Sequence, residues 1–218
     1  GFGRLGGQER DPPEIVPPDI VGESHWLPAI ELYGEGIFLT LDEERLKEWE
    51  QTPAVVSRLD SLRPRFAQSG RGDPNPLTAR FMLLHTLSHL LMRQIEFEGG
   101  YPAASLNERL YCEKNMAGIL IYVAVPDIHG SLGGLAELSE PRRFLGILIR
   151  ALEHSRWCSL DPVCSNHEGQ GPGLLNRAAC HACVLVPDPA CEYRNTLLDR
   201  GFVKGDAESG LSSFFGVT

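Results

Sequence analysis

The chain has 218 residues, of which 42% are hydrophobic and 22% charged, and its formal net charge is −9. This is the composition of a globular protein, so a mostly disordered chain is excluded. The longest apolar run, "AGILIYVAV" at 117–125, is too short to cross a membrane. The acidic balance argues against a domain that binds nucleic acid by itself, because contacts with phosphates require basic groups.

The beginning of the sequence predicts whether the chain is a fragment and in which compartment it works. It does not begin with methionine and has no charged-then-apolar leader, so we expect a piece of a longer or processed protein. Without a secretion signal we expect a cytoplasmic location. In that reducing compartment, clustered cysteines bind metal more often than they form disulfides.

The N-terminal elements are predicted from glycine, proline and alternation. Residues 1–28 contain "RDPPEIVPPDI" and several glycines, which predicts an extended arm or linker. Apolar residues alternate on both sides of Gly34-Glu35-Gly36, a pattern typical of a β-hairpin. Asp42 is then expected to cap a short helix with an acidic first turn.

The middle of the chain contains the clearest helix, at 75–98, whose apolar stripe and apolar centre predict a buried helix. Gly99-Gly100 is expected to end it. A second helix is predicted around 105–111, a buried strand at 118–126, and a glycine loop, "DIHGSLGGL", that leads into a helix at 140–157.

Together these elements predict an α+β fold, in which a small mixed sheet packs with several helices and a cysteine-rich zinc-binding segment is added. We divide the chain into the arm (1–28), an α+β core (29–157), a four-cysteine zinc-binding segment packed on the core (158–204) and a flexible tail (205–218).

Five cysteines lie in the last third with the spacing C-x5-C-x15-C-x2-C-x7-C, from position 158 to position 191. A C-x-x-C pair lets two thiolates reach one tetrahedral zinc ion from a single turn, and two further thiolates close a structural site. A thioredoxin-like redox motif and inert core cysteines are the less favoured alternatives, since the pair lies among other cysteines in a proline-rich stretch.

Five thiols for four positions leave one spare. We predict Zn²⁺ bound by Cys164, Cys180, Cys183 and Cys191. The choice between Cys158 and Cys164 is nearly even, because Cys164 lies in a turn after Asp-Pro whereas Cys158 closes a helix. His167 or His181 could substitute for a thiol, and Cys112 is expected in the core.

Two histidines, His85 and His89, lie one helical turn apart, the spacing found in zinc-dependent proteases. Those enzymes also need a glutamate after the first histidine, where this chain has Thr86. With Asp127 or His129 as a further ligand, the histidines could form a hydrolase or nuclease site. We favour instead buried, hydrogen-bonded histidines with a structural role.

The segment "AACHACVLVPDPACEYRNTLLDR" (178–200) resembles the C-terminal zinc-binding domain of Mrf-type superfamily 2 DNA helicases. It is more similar still to the non-helicase branch, the B proteins of bacterial DISARM anti-phage defence. The resemblance extends back through "DIHGSLGGL", "AGILIYVAV" and "HTLSHLLMRQIEFEGGYPAASLNERLY" to "WLPAIELYGEGIFL". No Walker A loop or helicase box is found in the sequence.

The resemblance implies the accessory domain of such a helicase without the ATP-driven helicase domains. Its expected function is antiviral: the domain would bind zinc, dock on a helicase subunit and reach DNA mainly through that complex. An enzyme is the less favoured interpretation, and no membrane partner is expected.

Overall fold

The computed structural model describes residues 2–3, 15–16, 31–69, 77–113, 115–125 and 133–216. Most of the predicted arm at 1–28 lies outside these ranges. Within it, strands β1 (Phe2–Gly3) and β2 (Ile15–Val16) pair antiparallel.

The central sheet has three strands, β3 (Tyr33–Thr40), β4 (Asn107–Tyr111) and β5 (Gly118–Val125). Their order is β3-β5-β4, and both neighbouring pairs are antiparallel. The predicted α+β class and the predicted strand at 118–126 are confirmed. In the described residues the sheet is antiparallel throughout, not mixed.

The hairpin predicted around Gly34-Glu35-Gly36 is wrong, because all three residues lie inside the single strand β3. A Cβ atom on Gly34 would lie 2.5 Å from the carbonyl oxygen of Val123, and one on Gly36 would lie 2.8 Å from that of Ile121. The two glycines thus allow β3 to approach the backbone of β5 closely, which is a known role of glycine within strands.

The helix predicted around 105–111 is also wrong, since this segment contains strand β4. Glu108 and Leu110 are buried while Arg109 between them is exposed, which is the alternation of a strand with one buried face. One of the two buried side chains is a carboxylate. The apolar alternation that marks such a strand is therefore missing from the sequence.

Eight α-helices are described, and three short 3₁₀ turns accompany them, at Ala103–Ser105, Pro172–Leu174 and Asp188–Ala190. The helices are α1 (Glu43–Glu50), α2 (Pro53–Asp60), α3 (Arg63–Gln68), α4 (Ala79–Gly99), α5 (Gly134–Leu138), α6 (Pro141–His154), α7 (Val163–Asn166) and α8 (Arg200–Lys204). The predicted cap of α1 is confirmed, because the Asp42 carboxylate accepts the Arg45 N–H at 2.8 Å. None of the described helices combines the length and apolar character needed to cross a membrane.

Helix α4 is the centre of the fold and confirms the predicted buried helix. Thr78 caps its start by accepting the Phe81 N–H, and Gly100 ends it with a left-handed φ of 71°. Nearly every residue up to Ile95 is buried, against α6, α8 and β5 among others. The predicted helix at 140–157 is confirmed as α6, which covers one side of α4.

Residues 205–216, for which a flexible tail is expected, pack on α1. Leu211 and Phe214 are buried, and the Trp49 indole N–H donates to the Ser212 carbonyl at 3.0 Å. The Arg45 guanidinium donates to the Phe214 carbonyl at 2.6 Å. This segment therefore covers part of the core, in contrast to the expectation.

Candidate metal centres

The first cluster of potential ligands consists of four cysteines, Cys158, Cys164, Cys180 and Cys183, whose sulfur atoms all lie within 4.8 Å of one another. Three measured Sγ–Sγ distances are 3.5 Å (158–180), 3.7 Å (180–183) and 3.8 Å (164–183). A tetrahedral ion with Zn–S bonds of about 2.3 Å requires S–S separations of about 3.8 Å. The four thiols therefore fit one zinc ion.

Two turns bring these cysteines together. Cys158 follows α6 and Cys164 lies in α7, and the Asp161 carboxylate between them accepts the backbone N–H of Cys158 at 2.7 Å and that of Ser165 at 3.1 Å. The C-x-x-C segment forms its own turn, in which the Cys183 sulfur accepts the Cys180 N–H at 3.3 Å. Hydrogen bonds within these two turns thus bring the thiols next to one another.

Arg200 connects this cluster to α8. Its guanidinium is fully buried and donates to the carbonyls of Ala178 (3.0 Å) and Ser155 (3.2 Å) and to the Asp161 carboxylate (2.9 Å). The acceptors come from both segments that supply thiols, the one around 158–164 and the one that leads into 180–183. The buried positive charge also lies close enough to Cys183 to favour its thiolate form.

The thiols differ in how readily they ionise. Burial raises the pKa of Cys164 to about 12 and also raises the pKa of Cys183. Burial opposes ionisation of Cys180 as well, but hydrogen bonds from Cys158 and from the Ala182 backbone give Cys180 a lowered pKa. A metal ion that binds here must displace the protons of the buried thiols.

The predicted ligand set differs from this cluster in one member. Cys164, Cys180 and Cys183 lie together as predicted, but the fourth thiol is Cys158, and Cys191 lies elsewhere. Proximity in sequence to the C-x-x-C pair favoured Cys191, which the fold places apart from that pair.

The other candidate ligands lie apart from the four thiols. In the described ranges neither His167 nor His181 belongs to a group of potential ligands. Cys112 is half-buried and packs on the core, where burial raises its pKa to about 12.

The second cluster consists of His85 and His89 from α4, Glu108 from β4 and Cys191, which follows a 3₁₀ turn. All four side chains are buried, and one ligand atom from each lies within 4.8 Å of the others. Asp127 and His129, the partners predicted for the histidines, lie outside the described residues. Neither Glu108 nor Cys191 was predicted to lie beside the histidines.

Glu108 is the acidic centre of the second cluster. Burial tends to raise the pKa of its carboxyl group, but the adjacent imidazoles of His85 and His89 hold that pKa well below its usual value. His89 Nδ1 lies 3.2 Å from the Val184 carbonyl oxygen. Both histidines are therefore completely buried beside polar partners, with no exposed surface that a substrate could touch.

Comparison with known proteins gives a family match over part of the region that holds the clusters. Residues 87–184 match the family described as the MrfA Zn-binding domain. That segment includes all four thiols of the first cluster, together with His89 and Glu108, whereas His85 and Cys191 lie outside it.

The whole chain is also similar to a longer protein. It is 36% identical over 223 aligned positions to the DISARM protein DrmB of Bacillus paralicheniformis, an alignment that covers 99% of this chain and 40% of that protein. The chain thus spans less than half the length of this relative. Residues 87–184 are thus similar to the MrfA Zn-binding domain, and the chain is similar to a DISARM protein over nearly its whole length.

Proposed function

We propose that Cys158, Cys164, Cys180 and Cys183 bind one structural zinc ion. The observation that carries this proposal is the approach of four sulfur atoms at tetrahedral separations. Four protein ligands leave no open coordination position, which is the arrangement of structural sites and not of catalytic ones. The match to a zinc-binding family supports the choice of metal.

The surroundings of the cluster also suit a zinc tetrathiolate, which carries a net charge of −2. Arg200 places a buried positive charge beside Cys183. Backbone N–H groups point at two of the sulfurs, from Cys180 to Cys183 at 3.3 Å and from Leu160 to Cys158 at 3.4 Å. Such hydrogen bonds stabilise thiolates and orient them toward a metal.

At the level of the cell, we propose that the chain is an accessory domain in a bacterial anti-phage defence complex. In this proposal it works in the cytoplasm, docks on a helicase subunit and supports that subunit's engagement of DNA. The similarity to a DISARM protein supports the assignment to defence. The net charge of −9 supports contact with DNA through a partner, because an acidic surface opposes a phosphate backbone.

The zinc assignment is tested by metal analysis of two matched serine variants. Cys158→Ser removes a proposed ligand, and Cys112→Ser removes a half-buried thiol outside both clusters. We expect Cys158→Ser to lose zinc and to become sensitive to protease in the last third of the chain, since folding there is coupled to metal. Cys112→Ser is expected to keep its full zinc content. Unchanged zinc and protease resistance in Cys158→Ser would refute the assignment.

The docking proposal is tested by co-expression with the helicase subunit encoded in the same defence system. We expect the full-length protein to co-purify with that subunit and to increase its affinity for DNA. Co-purification that is absent, or a helicase whose DNA affinity is unchanged by the protein, would contradict the proposal. Zinc analysis of the same sample separates a failure of docking from a failure of metal binding.

A further inference from the structure

We propose that His85, His89, Glu108 and Cys191 bind a second metal ion, a divalent transition metal of the zinc type, at the junction of α4 and β4. The donor set is two imidazoles, one carboxylate and one thiolate, all accepted ligands of zinc. This site is separate from the four-cysteine cluster and does not depend on the function proposed above.

The separations between the donor atoms are those of a coordination shell. His85 Nε2 lies 3.2 Å from the Cys191 sulfur and 3.2 Å from Glu108 Oε1, and His89 Nε2 lies 3.4 Å from the same oxygen. Bonds of about 2.0–2.2 Å to nitrogen and oxygen and about 2.3 Å to sulfur give tetrahedral edges of roughly 3.3–3.6 Å. The cluster thus has nearly the size that one ion requires.

Without an ion, hydrogen bonds would satisfy the contacts of His89 only as a buried imidazolium that donates to both Val184 and Glu108. A carbonyl oxygen only accepts, so the contact with Val184 places the proton of His89 on Nδ1. A neutral His89 then presents the lone pair of Nε2 to the Glu108 oxygen. His85 Nε2 faces both the Glu108 carboxylate and the Cys191 sulfur, so without an ion its single N–H would be shared between these two acceptors. A cation between these atoms uses every lone pair at once.

The groups behind the donors match those found around bound metals. Metal-binding histidines commonly donate their second ring N–H to a backbone carbonyl, as His89 does to Val184. The Cys191 sulfur accepts two backbone N–H groups, from Asn195 at 3.1 Å and from Tyr193 at 3.3 Å. Burial raises the pKa of Cys191 to about 12, and these two hydrogen bonds act in the opposite direction, toward the thiolate.

The carboxylate is held in the same way. Glu108 Oε1 accepts the Glu192 N–H at 3.3 Å, while buried Oε2 has no hydrogen-bond partner among the described residues. A buried carboxylate with an unpaired oxygen is destabilising, and a divalent ion bound at Oε1 reduces that penalty by neutralising the carboxylate's charge.

The charges balance when the ion is present. A divalent cation is neutralised by one carboxylate and one thiolate, and two neutral imidazoles complete the shell, so no net charge is left in the core. All four positions are filled by protein, and the ligand side chains are buried. The second ion is therefore structural: it links the middle of α4 to β4 and to the segment that follows Cys183.

X-ray absorption at the zinc edge of the tag-free, full-length protein tests the proposal without any substitution. We expect two zinc ions per chain and a first shell that contains nitrogen or oxygen at about 2.0–2.1 Å besides sulfur at about 2.3 Å. The alternative is a metal-free hydrogen-bonded cluster beside a single four-cysteine site. A shell of sulfur alone, whatever the zinc content, would overturn the second site.

Substitutions assign the nitrogen and oxygen signal to these residues. Cys191→Ser and His89→Gln are expected to lose one zinc equivalent and the nitrogen or oxygen component, while Cys112→Ser retains both. If a variant does not fold, Co²⁺ bound to the unmodified protein gives an independent measurement. The bound Co²⁺ is then expected to show thiolate-to-metal charge-transfer absorption from two sites. One is the four-cysteine cluster, and the other is the second cluster with its single thiolate, Cys191. Retention of the nitrogen or oxygen component in folded Cys191→Ser and folded His89→Gln would refute the assignment.

Discussion

Replacing Arg200 with methionine should destabilise the protein strongly, because the guanidinium is fully buried and donates to two carbonyls and a carboxylate at once. Methionine is also long and unbranched but has no charge and no N–H donors. The substitution leaves the carbonyls of Ala178 and Ser155 without this donor and the Asp161 carboxylate without its cation.

The expected magnitude follows from those partners. An unsatisfied buried acceptor costs about 1–3 kcal/mol, and loss of one member of a buried ion pair costs about 3–5 kcal/mol. The Asp161 side chain is 24% exposed, so water compensates it in part. We therefore expect a loss of about 3–5 kcal/mol in the free energy of unfolding. For a chain of this size, that corresponds to a fall in Tm of about 6–20 °C.

The assay is thermal unfolding followed by circular dichroism at a buffered free zinc concentration, because bound metal stabilises by mass action. Arg63→Met is the matched control, since this side chain is 62% exposed and its ion pair with Asp60 is worth less than about 1 kcal/mol. A Tm of Arg200→Met within about 2 °C of the unmodified protein would show that the buried guanidinium does not hold the cluster in place.

Three further predictions concern the sheet, the C-terminal segment and DNA. Gly34→Ala should lower the free energy of unfolding, followed in a denaturant titration, by about 1–3 kcal/mol, because the new Cβ meets the Val123 carbonyl. The control is Gly146→Ala in α6, whose new Cβ meets only the flexible Arg150 side chain. This variant should be neutral or stabilising by about 0.5–1 kcal/mol. Phe214→Ala should cost about 3–5 kcal/mol, since its ring packs edge-on to Trp49; a Tm equal to that of the parent would mean that residues 205–216 contribute nothing. The isolated chain should bind DNA only weakly in fluorescence anisotropy, and tight binding with a steep salt dependence would contradict this expectation.

The sequence predicts elements well where apolar periodicity and end signals agree. Helix α4 has both an apolar pattern and a Gly-Gly end, and α1 has the Asp42 cap. Prediction fails at β3 and β4 for two different reasons. In β3 the glycines serve close strand packing and resemble a turn only in sequence, and in β4 a carboxylate occupies a buried position.

The set of clustered thiols differs from the predicted one in one member, because proximity in sequence is a poor guide to proximity in space. Three of the four clustered thiols were identified, and Cys191 was preferred to Cys158 because it follows the C-x-x-C pair closely. The fold instead turns Cys191 toward α4, while α6 delivers Cys158 to the cluster. Reading the cysteines as two pairs, 158 with 164 and 180 with 183, would have identified the cluster.

Several contacts of α1 and α2 join residues that are made at very different times during synthesis. Arg58 pairs with Asp199 across 141 positions, and Arg45 bonds to the Phe214 carbonyl across 169 positions. At about 5–20 residues per second, a ribosome needs roughly 10–30 s to make the intervening chain. During that interval, Trp49 lacks the aromatic partners Phe202 and Phe214. The apolar faces of the first helices are therefore available to chaperones until the last of these partners leaves the ribosome.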